Sequence, residues 1–301
     1  MILLNHFQKL NVLLFYKKKT CITINKKKQM LITTLSDLHH FIGKYEKYIP
    51  TLSERELLPE LNFSNNFNES LDHINFPDCI RHITFGRSFN QSFKYVKFPS
   101  KLKILEINGV YNQPLDDVEF PDSLIIIAIG GWFNHSLDKV KFPANLQDFS
   151  LRGKFEKSLE NVLFPVGLEI LEVSCLFTGP LPSLPDTVKH LVVDGSSDIC
   201  LDTYVFPTNL LSLNLGDFFS DQSLKQLPDS LEVLNLGRKF LGPLLTIPKN
   251  VYDLGLSVDY ELQIKDEILA QLKFIKVSEK YPFLPMIYEQ FPSVRVQFLI
   301  K

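Results

Sequence analysis

No cysteine has a partner at metal-binding spacing: Cys21, Cys79, Cys175 and Cys200 lie far apart, and none sits in a C-x-x-C pair. That excludes a zinc ribbon or a disulfide framework read from spacing, and predicts reduced thiols in a cytosol. A long apolar run is missing too. The opening MILLNHFQKLNVLLFY is broken by Asn5, His6, Gln8, Lys9 and Asn11 and has no basic leader. It falls short of the ~18 apolar residues of a spanning helix, so neither secretion nor membrane insertion is expected. Excess charge of one sign is absent: 32 Lys and Arg face 34 Asp and Glu, a net charge of -2. Such a chain has no general field for holding nucleic acid or an anionic membrane, and neither partner is expected.

Catalytic signatures are lacking as well. The sequence contains no nucleophile elbow, H-E-x-x-H, Walker loop or dinucleotide glycine pattern. His39 and His40 are adjacent, which does not put two ligands on one face of a helix. No catalytic residue, metal or cofactor is therefore expected. Charge is uneven along the chain: residues 1–50 hold nine lysines against Asp37 and Glu46, +7 there and -9 in the rest. The lysine runs 17–19 and 26–28 read as solvated ends of a hairpin over Asn11 to Asn25.

What is present is repetition. Aligned on Phe-Pro dipeptides, five consecutive 22-residue units run from Phe67 to Leu176: FNESLDHINFPDCIRHITFGRS, FNQSFKYVKFPSKLKILEINGV, YNQPLDDVEFPDSLIIIAIGGW, FNHSLDKVKFPANLQDFSLRGK and FEKSLENVLFPVGLEILEVSCL. Four looser units follow from Phe177, and LPELNFSNN resembles the tail of a degenerate first one. After each Phe-Pro comes L-x-x-L-x-[IL], as in Leu102, Leu105 and Ile107, whose period of two marks a strand buried on one face. One strand per unit, always in the same direction, predicts a parallel solenoid with strands ~4.8 Å apart.

The other half, F-N-x-S-L-x-x-V-x-F-P, must bring the chain back. Pro77, Pro99, Pro121, Pro143 and Pro165 have no amide hydrogen for a ladder and so mark the boundary before each strand. Phe67, Phe89, Tyr111, Phe133 and Phe155 are predicted to stack between coils, with a second column at Phe76, Phe98, Phe120, Phe142 and Phe164. Asn68, Asn90, Asn112 and Asn134 are expected to form an inward ladder whose amides satisfy backbone groups at the turn. The N-x-S sequons at Asn68, Asn90 and Asn134 fall out of this consensus, so glycosylation is not expected.

The consensus F-N-x-S-L-x-x-[IV]-x-F-P-x-x-L-x-x-L-x-[IL]-G closely resembles the FNIP repeat, a leucine-rich-repeat relative found in social amoebae and giant viruses of amoebae. The resemblance covers about two thirds of the chain. It is specific from Phe67 to Lys154, weaker from Phe155, where Glu156 replaces Asn, and looser from Phe177. GPLPSLPDTVKHLVVDGS, from Gly179, is also similar to the bacterial leucine-rich repeat. The resemblance implies a β-rich, leucine-rich-repeat-like arc that binds protein partners, host proteins in a host cytoplasm if the source is viral. Family members often carry an F-box ahead of the repeats and act as ubiquitin-ligase receptors. Residues 1–50 show no L-P-x-E-[IL] start of such a motif.

Three regions are expected: a basic extension at 1–50, a solenoid of about nine repeats at 51–260, and a cap at 261–301. The extension holds the hairpin and a helix near Leu35 to Tyr45, with Thr34 and Asp37 spaced as a capping box. The cap reads as strand, helix, strand. Within the solenoid, positions three, five and seven of each strand are expected to point outward. There Ile104, Ile126, Ile170 and Val233 make an apolar strip, and Glu106, Asp148, Arg152, Glu172, His190 and Asp194 add charge. These residues are the candidate binding surface. A parallel β-helix acting on carbohydrate is the rival, with Glu172 and Asp194 ~8 Å apart as its acid pair.

Overall fold

A computed structural model describes residues 29–46, 60–175, 180–194, 204–216, 224 and 226–299. The predicted hairpin, the lysine runs and the unit starts at Phe177 and Phe219 lie outside the described residues. Within them, thirteen strands form one sheet, ordered as they occur in the chain, with every pairing parallel. They are β1 (Gln29–Ile32), β2 (Glu60–Phe63), β3 (His82–Phe85), β4 (Ile104–Ile107), β5 (Ile126–Ile129), β6 (Asp148–Gly153) and β7 (Ile170–Cys175). β8 (His190–Asp194), β9 (Ser212–Asn214), β10 (Val233–Asn235), β11 (Asp253–Gly255), β12 (Phe274–Val277) and β13 (Arg295–Phe298) complete it. Helix α1 (Leu35–Glu46) follows β1, α2 (Asp266–Gln271) precedes β12, and α3 (Leu284–Gln290) precedes β13.

Register explains the core. Leu105 pairs with Ile127, Ile127 with Phe149 and Phe149 with Leu171, all fully buried. The next inward row, Ile107, Ile129, Leu151 and Val173, is at most 1% exposed. Each such side chain contributes ~1.5–3 kcal/mol by leaving water, but only because a neighbouring coil covers it.

The return limbs are chains of turns and not a second sheet. The carbonyl of Pro77 accepts from Ile80 N at 3.1 Å, and the same bond recurs from Leu102 to Pro99, Leu124 to Pro121, Leu146 to Pro143 and Leu168 to Pro165. Proline thus does more than end the ladder, since its oxygen closes the turn that launches the strand. Among the described residues the return limbs share a single isolated bridge, Asn75 with Lys97. That is the architecture of a leucine-rich-repeat arc rather than of a closed β-helix.

The consensus serine also has a place. Ser70, Ser92, Ser136 and Ser158 each accept the amide of the residue two positions on, at 3.1–3.2 Å, and so fix the local turn. The asparagine ladder exists but runs along the stack and not inward. Asn68 Oδ1 accepts from Asn90 N at 2.8 Å, Asn90 from Asn112 at 2.8 Å, Asn112 from Asn134 at 3.0 Å and Asn134 from Glu156 at 2.9 Å. The side chain of Asn112 is exposed and that of Asn90 half-buried, because the free amide it serves belongs to the next coil and not to the core.

At the start, Thr34 and Asp37 close the capping box: Asp37 N donates to Thr34 Oγ1 at 3.2 Å and Thr34 N to Asp37 Oδ2 at 2.9 Å. Helix α1 buries Leu38 and Phe41, which shields the first coil. At the other end, the expected strand, helix and strand are β12, α3 and β13, and a helix outside that expectation, α2, comes before them. Both strands are bonded into the same sheet, so helices take the place of turn-built return limbs while the solenoid continues. In this part of the chain β12 has no Phe-Pro before it, β13 keeps one at Phe291-Pro292, where the Phe291 carbonyl accepts from Val294 N at 3.0 Å, and Pro285 near the start of α3 suits a helix.

Candidate functional site

The face of the sheet turned away from the core carries the sequence-predicted residues. Its first row runs His82, Ile104, Ile126, Asp148, Ile170, His190, all in register on successive strands. The second row runs Thr84, Glu106, Ala128, Ser150, Glu172, Val192. Positions three and five therefore face outward as expected. Position seven is mixed: Asn108 is exposed and Gly130, Arg152, Asp194 and Gly237 are half-buried, whereas Gly86, Gly216 and Ser257 are buried at the strand end. There the chain turns through glycines with positive φ, Gly109, Gly131 and Gly153, whose stacked backbones leave no room for a side chain. The longer β6, β7 and β8 carry Arg152, Ser174 and Asp194 in register onto this part of the sheet.

The apolar strip is broken and partly hidden. Ile104 and Ile126 are neighbours and half-buried, and Val233 lies apart from them on β10. Ile170 is 5% exposed, because Asp148 and His190 stand against it on either side.

Charge is arranged in two partnered groups and one strained residue. Glu60 and Glu106 flank His82 at 3.8 and 3.6 Å, and Thr84 Oγ1 donates to Glu106 at 3.3 Å. The hydrogen bond from His82 holds the Glu106 carboxyl below its usual range in spite of burial. Arg152 grips Glu172 with both ends of its fork, Nε to Oε1 at 2.8 Å and Nη2 to Oε2 at 2.6 Å. Asp148 lacks such a partner. It sits in the row between Ile126 and Ile170, receives one long bond from Ser150 Oγ at 3.4 Å, and faces the negative Glu172. Burial and that like charge push its carboxyl up to about 7. His190, next along, is held below its usual value by burial and by Lys189.

The suggested acid pair is not poised for sugar chemistry. Both Glu172 oxygens are engaged by Arg152, and Asp194 is in register with Ser174, beyond Glu172 along the strand. Among the described residues no group of three or more His, Cys, Asp or Glu could hold a metal ion, and no helix is long and apolar enough to cross a membrane.

Residues not singled out from the sequence matter as much as those that were. Ser150 spans Asp148 and Glu172, Ala128 leaves a gap between Glu106 and Ser150, and His82 sets the state of Glu106. Their signal was a small or polar residue at an outward position where neighbouring units place a larger one. At the strand-end turn, Trp132 is 55% exposed with Lys154 Nζ 4.1 Å from its ring centre.

The repeating parts of these coils, the Phe column, the Asn ladder and the Pro turn, make a recognisable unit. A family model for the FNIP repeat matches residues 67–110, 89–132 and 111–154. These coils are FNIP repeats. No curated protein matches the chain. Among solved structures, the fold is similar to the crystal structure of CroV588, a novel circular LRR protein, with a TM-score of 0.55 and 22% identity. That likeness covers 76% of this chain and 38% of CroV588, so the chain spans well under half of its length. It shows the fold alone: FNIP repeats here build an arc of the leucine-rich-repeat kind.

Proposed function

We propose that the chain is a non-enzymatic interaction scaffold that binds a partner protein across the open face of β3 to β8. The observation that carries this reading is the contrast between the two faces of the same strands. Inward residues repeat from coil to coil, whereas outward ones change from Ile to Asp to Ile to His along a single row. A residue with only a structural role would repeat like its inward neighbour. Apolar side chains set among fixed charges give both area and register for recognising a protein. Host proteins are the partners, and the host cytoplasm the setting, if the source is viral. The described part of the N-terminal extension favours no ligase-adaptor role, since α1 is engaged in covering the first coil.

The test is affinity capture from amoebal lysate with wild type against Ile104→Asp/Ile126→Asp, two half-buried outward positions. The reading expects captured proteins to be lost from a variant that keeps its thermal midpoint. Capture of the same proteins in the same amounts would sink it.

A further inference from the structure

We infer that the open face of β4 to β7 recognises a partner segment presenting a lysine or arginine side chain, which seats over Ala128 against Asp148 and Glu106. This deepens the scaffold reading and rests on it.

Three observations converge on that notch. The first is space: Ala128 stands in its row between Glu106 and Ser150, and is flanked by Ile126 in its own strand. A short side chain there opens a recess with acids on two sides. The second is a carboxyl with little hydrogen bonding from the protein. The Asp148 side chain keeps a narrow opening to solvent, yet protein atoms pack round its carboxyl on nearly every side. Its Oδ2 receives no hydrogen bond among the described residues, and Oδ1 has only Ser150 Oγ at 3.4 Å. That hydroxyl has one proton and lies as close to Glu172, at 3.3 Å, so it cannot serve both carboxylates.

The third is charge balance. On these four strands the outward acids are Glu106, Asp148 and Glu172, against Arg152 alone, and the hydrogen bonds that Arg152 makes to them go to Glu172. An arriving cation therefore meets one carboxyl, Asp148, that no ion pair answers, beside a second, Glu106, whose partner is the His82 imidazole at 3.6 Å. Charge-assisted bonds to an enclosed carboxylate are short and strong, and they also select against an acidic or neutral competitor. Alternating apolar side chains of an extended segment would rest on Ile104 and Ile126, one on each strand beside the notch.

Binding a cation makes Asp148 give up its proton, so affinity gains as pH rises through neutrality. The other groups that face Asp148 are Glu172, Arg152 and Glu106, with His190 beyond Ile170, held below its usual value by burial.

The experiment uses the full chain and three short fluorescein-labelled peptides in which valine alternates with lysine, glutamine or glutamate. Anisotropy is read at about pH 6 and about pH 8, and proton release is read by calorimetry in two buffers of different ionisation heat. The lysine peptide should bind at least about tenfold tighter than the glutamine peptide, more so at the higher pH, and release a proton at the lower. Asp148→Asn and Ala128→Leu should each remove the preference in a folded chain, Ala128→Leu keeping a thermal midpoint near that of wild type and Asp148→Asn one that is no lower. Lys141→Glu, on a return limb, should leave it intact. Equal binding of lysine and glutamine peptides would overturn the inference yet leave the scaffold reading standing. A lysine preference that survives both face variants would overturn it too, and so would no binding of any peptide. Loss of capture by Ile104→Asp/Ile126→Asp tests the scaffold reading separately.

Discussion

Between Phe67 and Cys175 each coil copies the one before it, whereas after Tyr204 the coils keep the sheet and, as far as β11, the proline turn, but change the rest of the return limb. In the first region Phe67, Phe89, Tyr111, Phe133 and Phe155 stack at 6.1–6.3 Å, their planes within 14° of parallel. In the second, Phe240, Tyr260 and Tyr281 keep a 6.3 Å spacing but tilt by up to 32°. The backbone bonds differ in kind. Asparagine oxygens link the early coils, while Tyr260 takes the Leu244 amide at 3.2 Å and Tyr281 donates to the Leu262 carbonyl at 2.8 Å. The difference separates two demands. The inward leucine rows are required everywhere because they make the sheet, and the return limb has only to offer some partner at each coil step.

The glycine turn is where the regular region should be least forgiving. A Cβ on Gly131 would lie 1.4 Å from the Gly109 carbonyl oxygen, at φ +76. Gly131→Ala is expected to cost more than about 3 kcal/mol in denaturant unfolding, from strain plus overpacking. Gly167→Ala, whose nearest atoms would be 3.8 Å away, should stay within about 0.5 kcal/mol. A tolerated Gly131→Ala would mean that the regular coils stack no more tightly than the rest.

Next in size is a pH effect at Asp148. Its carboxyl is raised from the ordinary 3.8 to about 7, so the folded state keeps a proton that the unfolded chain has lost over that window. Stability attributable to this group is therefore unaffected below about pH 4 and declines as pH climbs to about 7. Asp148→Asn should match wild type near about pH 4 and melt several degrees higher near about pH 8. Parallel curves at all pH values would remove the distinction between Asp148 and the partnered acids beside it.

Smaller effects test the return limbs. Asn112→Ala removes the acceptor for Asn134 N at an exposed site and should cost about 1 kcal/mol. Tyr111→Phe should run the other way, gaining up to about 1 kcal/mol. Its hydroxyl is the one buried side-chain polar atom without a partner among the described residues, unlike those of Tyr260 and Tyr281. A loss of stability in Tyr111→Phe would show that the early column tolerates hydroxyls as the later one does.

Most of the arc could be read in the sequence because its parts recur. Phe-Pro spacing located every strand it precedes, and the Leu-x-Ile alternation set which side faced the core. What recurs without an obvious partner was harder: the asparagines point along the stack, and the serines hold turns that only a folded chain displays. The site was half legible. Asp148 and Glu172 stood out as departures from the repeat, but the Arg152 clamp depends on β6 running on to Gly153, and sequence pattern does not give strand length. Position seven was only partly legible: Asn108 and Arg152 stay open just before a glycine with positive φ, whereas Gly86 and Gly216 are buried there.

Bonds that join residues 22 apart, such as Asn90 to Asn68, have a genetic consequence. Deleting or copying one whole unit returns every ladder, column and turn to an equivalent partner, whereas a shift of a few residues breaks all of them at once. The chain can lengthen its arc by duplication at little structural cost, and the outward residues of each new copy are then free to diverge. Recognition in such a molecule evolves in units of one strand.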